Sequence, residues 1–237
     1  MDDDKLELHK DYSIWNYDYS IGFALDIDSE KVRSFLPRGL HPFEVKPGVS
    51  LLMFNTMQFM EGNHNFASAF SEMTISVNVI PDLYLAGRLP KFAVYVINVG
   101  VDNLAFASDP YNTDKLPFYP TPLDIRVDRE KHAVSCRDEF GPIFELHDIS
   151  RNRDFDRKED FFQVFAGHDG RILHGAMTLD AESYEHQVSG ACGKVFAHPI
   201  FRGLDSAMPA AENYMQLFTA NEALGIQHYY RLRQVQA

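Results

Sequence analysis

Hydrophobic and polar residues alternate along several stretches of the chain, as in β-strands with one buried face. The apolar residues of 73–79 alternate with Thr, Ser and Asn, and those of 123–127 alternate with Asp and Arg. The turn 128–131 joins the second stretch to residues 133–137, which predicts a hairpin, and residues 167–170 predict another hairpin turn. The pattern predicts further strands at 17–25, 50–59, 92–99, 143–147, 162–166, 171–179 and 227–233.

Helix signals are few. Asp28 or Ser29 can cap a short helix that runs to Leu36, because Pro37 stops it. A second helix is predicted near 213–220, where apolar residues recur at helical spacing. Many strands with few helices predict a mainly β fold of the α+β kind, with the whole chain as one domain. We expect a large antiparallel sheet or barrel-like sandwich that encloses a ligand cavity, with a generic β-sandwich as the alternative.

Composition narrows the choice of partners. Apolar residues make up 45% of the 237 residues, so the chain can bury a sizeable core. The net charge is −12 and there is no basic run, which argues against binding to nucleic acid or to an anionic membrane surface. The most charged segment, 151–160, is predicted to be a solvated loop or the start of a helix.

Targeting and metal signals are also missing from the sequence. Residues 1–10 are polar and acidic, unlike a signal peptide, and no apolar run approaches the roughly 20 residues of a membrane helix. Cys136 and Cys192 have no zinc-type spacing and are expected to be buried, reduced thiols. We therefore expect a cytoplasmic protein without a metal site.

Several short motifs follow one another along the chain in a characteristic order. Residues 25–40 predict a strand and a short helix that ends in a Leu-Pro-x-Gly-Leu turn. Phe70-Ser71-Glu72 then opens a strand, Phe118-Tyr119-Pro120-Thr121-Pro122-Leu123 precedes a hairpin, and His198-Pro199-Ile200 follows near the end. In order and spacing these motifs resemble the acetoacetate decarboxylase superfamily over most of the chain. The resemblance implies an internal ligand cavity and, by analogy, a homo-oligomer.

The resemblance also shows where this chain departs from the family. Its decarboxylases use a Lys-Lys pair, one lysine of which forms a Schiff base with the substrate ketone. Thr121 and Pro122 occupy these positions here, and neither can form an imine. The binding arginine of the family falls near Tyr17, and a partner carboxylate falls at Asn55. The glutamate of the family is retained as Glu72.

Three residues are candidates for catalysis. Glu72 has apolar neighbours, and a position facing an apolar cavity would raise its pKa and suit it to acid–base work. The alternative is an ion pair with an arginine such as Arg88 or Arg126. Tyr119 can donate a hydrogen bond to a substrate carbonyl or simply form an aromatic wall. Thr121 can offer a hydroxyl in place of the lysine amine or only fill space.

Four further residues are candidates for substrate binding. Asn55 lies inside an apolar strand and can orient a polar group of the substrate, or else its amide bonds the backbone. Trp15 and Tyr17, with Tyr19, would share one strand face and line a cavity mouth, although a core stripe gives the same pattern. His198 is included through the resemblance, with a structural role as its alternative.

These residues favour an enzyme without a cofactor and without a Schiff base. It would be a lyase or isomerase that dehydrates, cyclises or enolises an oxo-acid, enone or polyketide-like small molecule, with Glu72 as acid or base. One alternative is a Schiff-base decarboxylase or aldolase that uses a displaced lysine, such as Lys91 or Lys115. The other is a non-catalytic protein that binds a small molecule in the same pocket.

Overall fold

The computed structural model describes residues 12–61, 68–82, 89–108, 116–131, 133–147, 156–168, 171–188, 193–204 and 215–231. The strands within these residues are β1 (Tyr12–Asp28), β2 (Leu40–Pro42), β3 (Val49–Phe59), β4 (Phe70–Pro81), β5 (Phe92–Val101), β6 (Asp124–Asp128), β7 (Ala133–Asp138), β8 (Gly141–Leu146), β9 (Asp156–His168), β10 (Arg171–Val188), β11 (Gly193–Val195) and β12 (Met215–Arg231). The helices are α1 (Ser29–Phe35), α2 (Leu104–Ala107) and a 3₁₀ helix at Pro199–Phe201.

Seven strands form a closed ring. Their order is β4-β3-β1-β12-β10-β9-β5, and the ring closes because β5 also pairs with β4. The pairing of β5 with β9 is parallel, and the other pairs of the ring are antiparallel. A closed ring pairs both edges of each strand and encloses an interior. This architecture confirms the mainly β, barrel-like prediction.

A second sheet, ordered β11-β8-β7-β6, belongs to a core on the outer face of the ring. Phe23 and Phe54 stack there with ring centroids 4.4 Å apart. Phe144 of β8 packs 5.1 Å from Phe23, and Phe201 packs 5.7 Å from Phe54. Full burial of each such side chain contributes about 1.5–3 kcal/mol, so this core holds the second sheet against the outer face of the ring.

Alternation predicted most of the described strands, and the first helix is also confirmed. The Asp28 carboxylate accepts hydrogen bonds from the backbone N–H groups of Glu30 and Lys31 and so caps α1. The helix ends at Phe35, two residues before Pro37. This end agrees with the prediction, because a proline disfavours the helical conformation of the residue that precedes it.

The helix predicted near 213–220 is wrong. Residues 215–220 begin β12, and residues 213–214 lie outside the described part. This strand pairs with β1 on one edge and β10 on the other, so both edges of its backbone are hydrogen-bonded. Long-range pairing outweighs the local helical spacing of its apolar residues.

The loop or helix start predicted for 151–160 is wrong for its second half. Residues 156–160 begin β9, where they pair with 179–183 of β10. Residues 151–155 lie outside the described part, as do 169–170 of the predicted hairpin turn and 232–233 of the last predicted strand.

Two smaller findings bear on the sequence predictions. Each α-helix has seven residues or fewer, so none within the described ranges has the length and apolar character needed to cross a membrane. Cys136 is a buried free thiol whose pKa is raised, first by burial and then by nearby carboxylates. Cys192 lies outside the described residues.

Candidate functional site

The interior of the strand ring holds a cavity of about 220 Å³. All seven strands of the ring contribute lining residues. Because successive residues of a strand face opposite sides, most lining residues alternate with residues that face outward. Ligand pockets usually measure roughly 300–1,000 Å³, so this cavity suits a small or slender molecule.

The lining is polar on one arc of the ring and apolar on the other. The polar arc comprises Ser20 on β1, Asn55 on β3, and Glu72, Thr74 and Ser76 on β4. The apolar arc is formed by β5, β9 and β10 and comprises Phe92, Val94, Val96, Phe162, Val164, Met177 and Leu179. A ligand can therefore be oriented through its polar groups on one side and excluded from water on the other.

Aromatic rings pack across one end of the cavity. Helix α2 follows β5 and carries Phe106, whose ring lies 4.1 Å from that of Phe70 and 6.1 Å from that of Trp15. Phe59 stacks on the other side of Phe70 at 4.6 Å, and Phe118 contacts Phe106 at 5.8 Å. We call these five residues the aromatic plug.

Glu72 lies near the aromatic plug. In the pairing of strands β4 and β5 its backbone is opposite Val101, the last residue of β5. Only 4% of the residue is exposed. Its Oε1 accepts a hydrogen bond from Thr74 Oγ1 at 2.9 Å, whereas its buried Oε2 has no partner among the described residues. Burial raises the pKa of Glu72 from 4.5 to about 7, although the hydrogen bond from Thr74 lowers it. Near neutral pH both protonation states of this carboxyl are therefore populated.

The ion-pair alternative for Glu72 finds no support in the described residues. Arg126 pairs with Asp124 at 2.8 Å within β6, where both side chains are exposed, and Arg88 lies outside the described part. Acid–base catalysis needs a group that can both accept and return a proton near pH 7, and the Glu72 carboxyl can do so.

Asn55 lies beside this carboxyl on the neighbouring strand. It pairs with Thr74, and its Oδ1 accepts a hydrogen bond from Ser20 Oγ at 2.8 Å. This bond fixes the amide so that Nδ2 is its remaining donor, and within the described residues nothing accepts from it. Asn55 therefore offers an N–H group to a ligand two positions along the wall from Glu72.

Trp15 and Tyr17 line the cavity, but at the plugged end and not at a mouth. Trp15 Nε1 donates to Gln227 Oε1 at 2.9 Å, and burial raises the pKa of Tyr17 far above its ordinary value. Tyr19 was expected to share the face of Trp15 and Tyr17, but it does not. The register shifts between Tyr17 and Tyr19, and this bulge turns Tyr19 into the outer core.

The other end of the cavity carries charge. Lys91, Lys158 and Asp160 line it where β5 and β9 begin. Lys91 Nζ pairs with Asp160 Oδ2 at 2.8 Å, and both side chains are about a quarter exposed. We call these three residues the charged rim.

Tyr119, Thr121 and His198 are not among the residues that line the cavity. Tyr119 Oη donates to one oxygen of Asp138 at 2.9 Å, and His198 Nε2 meets the other oxygen at 2.9 Å. His198 Nδ1 accepts from the Ile200 N–H, so Nε2 carries the proton and donates. Burial and the bond to Asp138 raise the pKa of Tyr119 to about 12, opposed by a hydrogen bond with Thr121.

We call Tyr119, Asp138 and His198 the buried carboxylate cluster. The carboxylate of Asp138 at the end of β7 therefore joins the segment before β6 to the start of the 3₁₀ helix. The side chains of Asp138 and His198 are almost fully buried. This arrangement fits the structural alternative for His198 and places the expected contacts of Tyr119 and Thr121 with substrate away from the cavity.

Sequence reasoning missed several lining residues. Thr74 and Ser76 share the face of Glu72 by simple alternation, so this signal was present. Lys158 and Asp160 alternate in the same way with the apolar lining residues of β9, but their charges suggested a loop. Gln227 had no local signal, because only the pairing of β12 with the distant strand β1 brings it to Trp15.

Solved structures of acetoacetate decarboxylase-like proteins share this fold. Acetoacetate decarboxylase from Legionella pneumophila matches with a TM-score of 0.60 and 12% identity, over 95% of this chain and 88% of that one. The enduracididine biosynthesis enzyme MppR with HEPES bound gives 0.58 and 14%, over 93% and 87%. An acetoacetate decarboxylase-like enzyme from Sphingomonas wittichii RW1 gives 0.50 and 13%, over 94% and 92%.

The sequence itself matches no family model and no curated protein. The structural matches confirm the resemblance seen in the motifs and define the chain as one with an acetoacetate decarboxylase-like fold. At 12–14% identity they establish the fold and not the reaction.

Proposed function

We propose that the chain is a cofactor-independent enzyme of the lyase or isomerase type. It would dehydrate, cyclise or enolise an oxo-acid, enone or polyketide-like small molecule, with Glu72 as the acid–base group. The observation that carries this proposal is the buried Oε2 of Glu72 on the cavity wall, which has no hydrogen-bond partner among the described residues. Leaving such an atom without a hydrogen bond costs about 1–3 kcal/mol, which a ligand that bonds to it would offset.

The proposed step moves one proton. Ionised Glu72 takes a proton from the carbon next to the substrate carbonyl, and the C–H electron pair becomes a carbon–carbon double bond. The carbonyl π pair moves to its oxygen, which accepts a hydrogen bond from Asn55 Nδ2. The oxygen pair then re-forms the carbonyl bond while protonated Glu72 returns its proton. In an isomerisation the proton goes to the far carbon of a conjugated double bond, and in a dehydration it goes to a hydroxyl group on the next carbon, whose C–O bond breaks so that water leaves.

The surroundings of Glu72 favour this step. The apolar arc keeps water away, so a hydrogen bond to the developing negative oxygen is stronger than it would be in water. The hydrogen bond from Thr74 Oγ1 holds one carboxyl oxygen and leaves the other for the substrate.

Exchange of substrate hydrogens with solvent tests the proposal. Simple carbonyl compounds (acetoacetate, pyruvate, 2-butanone and 2-cyclohexenone) would be incubated with the protein in D₂O and followed by ¹H NMR. We expect deuterium to enter next to the carbonyl, and Glu72→Gln to slow this exchange by at least about 10²-fold, the usual contribution of a general base. The same substitution at the exposed Glu145 controls for the lost charge. Full exchange by Glu72→Gln would contradict the proposal, and binding without exchange by the wild type would favour a binding protein.

A Schiff-base enzyme is the second candidate, because Lys91 and Lys158 line the cavity. A similar fold, that of MppR, has been solved with the condensation product of pyruvate and imidazole 4-carboxaldehyde. Borohydride reduction in the presence of acetoacetate or pyruvate, followed by peptide mass mapping, would identify an imine at either lysine. Lys115, the other candidate, lies outside the described residues and would be mapped in the same experiment.

A further inference from the structure

The two ends of the cavity differ chemically. Glu72 is paired with Val101, the last residue of β5, whereas Lys91 immediately precedes Phe92, the first residue of β5. Strand β9 runs parallel to β5 and begins at the same end with the remaining two residues of the charged rim. The buried carboxyl and the charged rim therefore lie at opposite ends of one cavity.

The charged rim has one positive charge in excess. Lys91 is neutralised by Asp160 at 2.8 Å, and Lys158 forms no ion pair with any residue in the described ranges. Lys158 is exposed and pairs through its backbone with Ala181, a small residue that leaves its side chain uncovered on that flank. In a chain of net charge −12, a local excess of positive charge at a cavity opening attracts an anion that the rest of the surface repels.

The wall between the two ends is long and chemically graded. From Ser76 to Glu72 the polar arc extends over four residues of β4, or about 13 Å at about 3.3 Å per residue. Thr74 and Asn55 lie between them and offer hydrogen-bonding groups, while the facing arc is apolar. A ligand that reaches both ends must be a slender chain several carbons long.

We propose that the substrate is an elongated oxo acid whose carboxylate lies at the charged rim on Lys158 and whose carbonyl lies at the opposite end beside Glu72. This proposal rests on the function proposed above for the group at Glu72. It adds the chemistry of the head group, its distance from the reacting carbonyl and the orientation of the substrate in the cavity.

Trp15 provides a direct probe, because it is the only tryptophan of the chain and it lines the cavity. Its fluorescence would be titrated with 4-oxopentanoate, 7-oxooctanoate and 9-oxodecanoate, and with 2-decanone, which has no carboxylate. We expect affinity to rise from the shortest acid to the longer ones. The affinity of the longer acids should fall with added salt and that of 2-decanone should not, because only the acids bind through charge.

Charge reversal at the rim isolates the head group. Lys158→Glu should weaken the binding of 9-oxodecanoate by about tenfold, because an attraction between exposed charges is replaced by a repulsion. It should leave 2-decanone unchanged. Lys31→Glu is the matched control, since it makes the same change of charge at an exposed position of α1 that does not line the cavity. An equal loss for the acid and the ketone, or an equal loss in the two variants, would overturn the proposal, as would acids that leave Trp15 fluorescence unchanged up to about 1 mM.

The same variants separate this proposal from the acid–base function. If Glu72→Gln exchanges hydrogens at the normal rate while Lys158→Glu still discriminates acid from ketone, the acid–base role fails and the rim assignment stands. If Glu72→Gln stops exchange but Lys158→Glu treats both ligands alike, the rim assignment fails and the acid–base role stands.

Discussion

The raised pKa of Glu72 makes the stability of this fold depend on pH in a predictable direction. Between pH 4.5 and about 7 the carboxyl is ionised in the unfolded chain and still protonated in the folded one. Folding therefore takes up a proton in this window, and stability falls as pH rises through it. Below pH 4.5 both states are protonated, and above about pH 7 both are ionised, so the effect is confined to this range.

The size of the effect follows from the shift. A rise from 4.5 to about 7 corresponds to about 3 kcal/mol at about 1.4 kcal/mol per pH unit. Glu72→Gln keeps the shape and hydrogen-bonding groups of the protonated carboxyl and cannot ionise. The variant should therefore gain about 3 kcal/mol relative to the wild type as pH rises from 4.5 to 8.

Urea unfolding of both proteins across pH 4–8 measures this difference. His174 also titrates, because burial lowers its pKa to about 4 and removes stability as pH falls from 6.5 towards 4. This contribution is the same in both proteins and cancels in the difference. The exposed Glu145→Gln controls for the loss of one charge. A difference between Glu72→Gln and wild type that changes by less than about 1 kcal/mol over the range would refute the burial argument.

Three further changes have expected outcomes. Tyr119→Phe removes a hydrogen bond of the buried carboxylate cluster, so it should lower the free energy of urea unfolding by about 1–3 kcal/mol. If the role of Tyr119 is only structural, the rate at which the protein exchanges substrate hydrogens in D₂O should not change. Gly100→Ala would place a Cβ in overlap with Leu123 Cδ1 and 2.9 Å from its Cγ, which should cost about 1–3 kcal/mol by the same assay. Thr74→Val removes the hydrogen bond that lowers the pKa of Glu72, so the pH dependence of hydrogen exchange should move to higher pH, and an unmoved or lowered profile would contradict this.

Apart from the bulge in β1, local alternation predicted which face of a strand a residue occupies, but not what that face packs against. Met73 and Ile75 indicate a buried face, which predicts Thr74 on the opposite one, and Glu72 lies on the same face as Thr74. That this opposite face encloses a cavity depends on the pairing of β4 with β5, which closes the ring. No local pattern encodes that pairing.

The incorrect predictions also failed because the local sequence does not encode how distant segments pair. Helical spacing in 215–220 was real, yet two neighbouring strands impose an extended backbone there. Alternation assigned Tyr19 to the face of Tyr17, and a bulge between them reverses it. His198 carried no sign of its partner, because Asp138 lies 60 residues away in sequence. The resemblance of the motifs predicted the fold and identified Glu72 as a candidate. The charged rim could be recognised only from the structure.

The position of β12 between β1 and β10 has a consequence for the synthesis of this protein. On the ribosome, β1 and β10 emerge before the strand that joins them, and each presents an open edge until β12 arrives. The cavity wall is therefore among the last parts of the ring to form, and pairings as distant as Tyr12 with His228 favour slow folding. Nascent or refolding chains should be vulnerable to edge-to-edge association during this interval, and dilute or chaperone-assisted conditions should favour recovery of the folded protein.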